Sequence, residues 1–112
     1  MSVRRIVPNV QSEDLEESAR FYGLLGLEEV MNHGWIMTFA SPSAPTAQVS
    51  VMTGDKTAPV IPDMSIEVDD VDAAVRESGA KIVHPLRDEE WGVRRFFVRD
   101  PNGRVVNVLG HR

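Results

Sequence analysis

The side chains with chemical potential in this sequence recur at a spacing of two. Asn9 and Gln11, Gln48 and Ser50, and Asp63, Ser65 and Glu67 are separated by single residues, and Asn107 stands between Val106 and Val108. This is the period of a β-strand with two different faces. Amides, hydroxyls and carboxylates on such faces can hydrogen-bond a ligand, and the same alternation also fits a face that is merely solvated. Glu67 is the best general-base candidate, because burial beside apolar groups would raise its pKa toward neutrality. Trp35, Phe39, Trp91 and Phe97 offer rings on which a flat ligand could stack, with Arg94 or Arg95 to pair with a carboxylate or phosphate. The competing reading makes Phe39, Phe96 and one Trp core, and makes the arginines surface partners of Asp88, Glu89 and Glu90. His33, His84 and His111 are the only imidazoles and share no metal-ligand spacing. Each reads as a turn or surface residue rather than a ligand or base.

The elements that must position these residues follow from the chain in order. Trp91 to Leu109 reads as two strands joined by Asp100-Pro101-Asn102-Gly103, where Pro sets one corner and Asn-Gly accepts the positive φ of a hairpin. Residues 3 to 11 form a strand with Ile6, Pro8 and Val10 on one face and Val7, Asn9 and Gln11 on the other, with Pro8 suggesting an edge. Ser12 or Asp14 caps a helix carrying Leu15, Ala19, Tyr22 and Leu25, which Gly26 ends. Strands follow at Leu27 to Met31 and Gly34 to Ala40, then a loop over SPSAPTA, then a strand at Gln48 to Thr53. After the Pro-containing segment GDKTAPVIP the order repeats. Asp63 to Val68 is a strand, Asp70 opens a helix ended by Gly79, and Lys81 to Val83 is a strand broken by His84-Pro85. LRDEE then reads as a loop leading to the hairpin. The repeat is one βαβββ unit over residues about 3–53, a linker at about 54–62, and a second unit over about 63–110.

At 112 residues, with 42% apolar and 26% charged side chains, the chain has the composition of one ordinary globular domain. Its net charge of -5 argues against nucleic acid or an anionic membrane as partner. The absence of cysteine excludes disulfides, thiolate nucleophiles and Cys-based zinc sites. The N-terminus MSVRRIVPNV has no apolar core segment of a signal peptide, so a cytoplasmic protein is expected.

The segments DLEESARFYGLLGLEEV, IEVDDVDAAVRESGAKIV and EEWGVRRFFVRDPNGRVVNVLGH, in this order, resemble the vicinal oxygen chelate superfamily. It includes glyoxalase I, extradiol dioxygenases, fosfomycin-modifying enzymes and bleomycin resistance proteins. The resemblance implies an α+β fold in which two βαβββ units make a curved, mostly antiparallel sheet around a cleft, with helices outside, commonly as a homodimer. It also implies a divalent metal held by side chains from the first and last strand of each unit. Those positions fall here at Val7, Ser50, Asp63 and Asn107, of which only Asp63 is a good ligand. The expectation is therefore no cofactor. The chain is read as a metal-independent binder of an aromatic or polar drug-like compound, similar to the bleomycin resistance branch and its role in antibiotic resistance. Asn9, Gln11, Trp35, Gln48, Ser50, Asp63, Ser65, Glu67, Trp91, Arg95, Phe97 and Asn107 would contact the ligand. The alternative is a glyoxalase-like lyase or isomerase, or a dioxygenase-related enzyme, using a divalent metal or Glu67 as base. A third reading is a dimeric scaffold whose cleft is filled by its own side chains.

Overall fold

The computed structural model describes all 112 residues. The elements run β1 (Val3–Gln11), α1 (Leu15–Leu24), β2 (Glu28–Asn32), β3 (Ile36–Ser41) and β4 (Ala44–Met52), then β5 (Met64–Val68), α2 (Val71–Ser78), β6 (Ile82–Asp88), β7 (Val93–Arg99) and β8 (Val105–His111). This is the βαβββ pattern twice, in an α+β fold. The chain packs as two compact units, Val7–Ile61 and Pro62–Arg112 with Met1–Ile6, so that β1 contributes its first residues to one and its later residues to the other. No helix is long and apolar enough to cross a membrane.

Local chemistry explains where the elements begin and end. Asp14 Oδ1 accepts from the Glu17 amide at 3.0 Å and Asp70 Oδ1 from the Ala73 amide at 3.0 Å, so the same cap opens both helices. In the β7–β8 turn, Asp100 Oδ1 accepts from the amides of Asn102 at 2.8 Å and Arg104 at 2.9 Å. Gly103, not Asn102, takes the positive φ there, at 82°.

In the unit Val7–Ile61 the strands lie in the order β2-β3-β4-β1, with β1 parallel to β4 and the other pairs antiparallel. Met37, Phe39 and Val51 form its core under Leu15, Ala19 and Tyr22 of α1. The Tyr22 ring stacks on Phe39 with centroids 5.7 Å apart. In the other unit β5 is parallel to β8, and β8-β7-β6 run antiparallel. Val71 and Ala74 of α2 pack there on Val68, Phe96, Val98 and Val106.

Two expectations are corrected. The strand expected from Gln48 begins at Ala44, because Ser41 pairs with Ala44 across a short turn and the register shift beside Ala40 absorbs Pro45. The strand expected to stop before His84-Pro85 continues to Asp88. β6 is the edge of its unit and is bulged on both sides of His84, so the missing proline donor costs no ladder bond. On β1 the expected alternation holds, with Val7 buried and Ile6 and Val10 exposed.

Candidate functional site

Because Ile66, Val68, Phe96, Val98, Val106 and Val108 meet α2, the residues between them point to the opposite side of the sheet. That opposite face carries Ser65, Glu67, Arg95, Phe97 and Asn107. It is not a solvated face: Phe97 is 0%, Arg95 3% and Asn107 7% exposed.

Asn107 sits at the middle of this face, opposite Ser65 on β5 and Phe97 on β7. Its Nδ2 donates to Ser65 Oγ at 3.0 Å. Its Oδ1 is buried and accepts no hydrogen bond.

Glu67 lies two residues along β5. Arg5 Nε donates to its Oε1, and His111 Nδ1 lies 3.0 Å from its Oε2. Burial alone would raise the pKa of this carboxyl, but the hydrogen bonds and charges of Arg5 and His111 outweigh it and hold the pKa below the ordinary value. The expected upward shift toward neutrality is therefore corrected. Glu67 is a stabilised carboxylate and a weak base.

Next to Asn107 the face is closed by a stack of its own side chains. The Arg95 guanidinium carbon lies 5.1 Å from the centre of the Trp91 ring and 4.8 Å from that of Phe97. The His84 ring lies 4.9 Å from Phe97. Glu89, 1% exposed, neutralises this stack: its Oε1 is 3.1 Å from Arg87 Nε, 3.3 Å from Arg95 Nε and 3.3 Å from His84 Nε2. His84 is thus buried rather than at the surface, and the Arg95–Glu89 pair is internal. The expected surface pairing holds for Arg94, which bonds Asp72 at 2.9 Å and Asp88 at 3.0 Å. An acidic run, Asp88-Glu89-Glu90, before Trp91-Gly92, followed by arginine and phenylalanine on one strand face, is the only sequence signal that this stack left.

Asp63 Oδ2 accepts from the Val105 amide at 2.8 Å, and its Oδ1 lies 3.8 Å from Arg104 Nη1, where it fixes the start of β8. In the unit Val7–Ile61, Ser50 shares a 2.6 Å hydrogen bond with Thr38, and both are buried. Asn9 stands opposite Ser50, and Gln11 is exposed opposite Met52. Gln48 Nε2 donates to the Pro45 carbonyl at 2.8 Å. Trp35 is half-buried before β3, and its carbonyl accepts from the Thr53 amide at 3.0 Å. This unit also has a cleft of about 590 Å³ beside the start of α1, bounded by Val10, Ser12, Asp14, Glu17, Phe21 and Tyr22. None of the residues singled out by alternation lines it.

The positions at which the resemblance implies a metal do not fit one. Val7 supplies no donor atom, Ser50 is bonded to Thr38, Asp63 caps an amide of β8, and Asn107 is a neutral amide. No three His, Cys, Asp or Glu side chains gather so as to hold a cation.

Among solved structures, the chain is similar to an NAD-dependent benzaldehyde dehydrogenase from Legionella pneumophila, with a TM-score of 0.75 and 16% identity over 96% of this chain and 99% of that one. It is also similar to a glyoxalase/bleomycin resistance protein/dioxygenase superfamily member from Vibrio splendidus, with a TM-score of 0.65 and 20% identity over 97% and 99%. A Mn(II)-bound glyoxalase from Novosphingobium aromaticivorans matches with a TM-score of 0.61 and 21% identity, over 96% of this chain and 38% of that longer one. At these identities the likeness shows the fold. No curated protein matches the sequence. The profile of one family covers residues 5–108, from β1 into β8, and so spans both βαβββ units. The chain belongs to the Glyoxalase/Bleomycin resistance protein/Dioxygenase superfamily.

Proposed function

We propose that this protein binds a small aromatic or polar drug-like compound without a metal, as a homodimer, in the manner of sequestering members of its superfamily. The observation that carries the reading is the set of side chains at the four implied metal positions, Val7, Ser50, Asp63 and Asn107. They comprise one apolar group, a hydroxyl and a carboxylate engaged within the fold, and a neutral amide. The polar residues Ser65, Glu67 and Asn107 on the strand face away from α2 supply hydrogen-bonding groups in place of a Lewis acid. The lyase or isomerase reading with Glu67 as base is not favoured, because Arg5 and His111 stabilise its carboxylate and so weaken it as a proton acceptor.

The test is elemental analysis of untagged protein, followed by thermal-shift titrations with Ni, Zn, Mn and Fe and then with a panel of aromatic natural products. The expected outcome is substoichiometric metal, no shift with any of the four metals, and a saturable shift with members of the panel that persists in EDTA. A stoichiometric metal that EDTA removes together with ligand binding would overturn the proposal.

A further inference from the structure

Buried polar atoms in folded proteins are nearly always hydrogen-bonded, and an exception calls for a reason. Asn107 Oδ1 is the exception in this chain. The residue is 7% exposed, and its amide nitrogen is already fixed on Ser65 Oγ at 3.0 Å, which sets the direction in which the oxygen points. Phe97 stands opposite it on β7, and Val105 and Leu109 flank it along the same face of β8; all three are buried and apolar. The arginine and histidine side chains of this face are committed to carboxylates, Arg95 to Glu89 and both Arg5 and His111 to Glu67.

A lone pair held among apolar neighbours discriminates between ligands by what they bring to it. A group with an N–H or O–H satisfies it, whereas a carboxylate, phosphate or ether oxygen sets one lone pair against another. We infer that Asn107 Oδ1 accepts a hydrogen bond from the bound compound, and that this compound is a neutral or cationic aromatic donor, such as an indole or amide N–H, a phenol or an arylammonium. The inference deepens the small-molecule binding reading and rests on it.

The experiment compares matched probes that differ only in the donor: indole with 1-methylindole, benzamide with N,N-dimethylbenzamide, and phenol with anisole, with benzoate as the anion. Affinities are measured by nitrogen–proton NMR from the backbone amides of β5, β7 and β8 around position 107, on the wild-type chain and on Asn107→Leu, with the Asn107 side-chain amide followed in the wild type. Each donor is expected to bind about tenfold more tightly than its methylated partner, and the ratio is expected to fall to about one in Asn107→Leu. Should Asn107→Leu fail to fold, Asn107→Asp, which keeps an acceptor, is expected to retain the donor preference. Equal binding of both members of each pair by the wild type would overturn the inference and leave small-molecule binding standing. Preference for benzoate would overturn it as well. Binding of no probe by the folded protein would remove both.

Discussion

Nε of Arg95 donates to Oε1 of Glu89 at 3.3 Å, with both side chains buried. Arg87 and His84 converge on the same oxygen, and the Glu89 backbone is tied as well, its amide to the Val93 carbonyl at 2.8 Å and its carbonyl to Arg112 Nη1 at 3.2 Å. One carboxylate therefore holds the edge strand β6, the turn into β7 and the Trp91–Arg95–Phe97 stack in register. A buried charge of this kind is tolerated because it is paired, and removing it strands the buried Arg95 guanidinium without solvent.

Glu89→Gln is expected to lower stability by about 3–5 kcal/mol. Urea denaturation of the variant beside the wild type measures it. A loss under about 1 kcal/mol would mean that the cluster is as well solvated as a surface pair.

The stability contributed by Glu67 depends on pH with a defined sign. Its folded pKa lies below the unfolded value, so the contribution is complete above the ordinary carboxylate range and is lost as pH falls through the folded value. Glu67→Gln is expected to cost about 1–2 kcal/mol at neutral pH and to flatten the acid limb of the stability curve. An acid limb that keeps its slope in the variant would assign the effect to other carboxylates.

Asp14 and Asp70 occupy equivalent places in the two βαβββ units and make the same cap bond at 3.0 Å. Alanine at either position is expected to cost about 1 kcal/mol, and the two losses are expected to add, since the helices share no cap partner. Thermal melts of the single and double variants decide this. Strong non-additivity would show that the helix starts are coupled.

Asn107→Leu removes an acceptor that the fold leaves unsatisfied and fills its space with an apolar side chain of similar volume. The variant is expected to match the wild type in stability or exceed it by about 1 kcal/mol, while losing its preference for donor ligands. Destabilisation by more than about 2 kcal/mol would show that the Ser65–Asn107 bond is primarily structural.

The amino-acid sequence by itself determined whatever depends on neighbours along the chain. Asp14 and Asp70 cap their helices because each stands just ahead of a helical apolar pattern, and Asp100-Pro101-Asn102-Gly103 turns because of the residues within it. The two-residue period around Ser65, Glu67 and Asn107 separates one strand face from the other, and with the family segments this was enough for the fold. Tertiary structure decided which polar groups are buried and what they meet. Asn107 and Gln11 follow the same alternation, yet only Asn107 is buried. Glu67 reads as a candidate base until Arg5, 62 residues away, and His111, 44 residues away, pair with it and lower its pKa. His84 and Pro85 read as a strand break, but they lie on an edge strand, where a missing donor costs nothing. Burial and charge pairing depend on which strands become neighbours, and chain-local spacing carries no information about that.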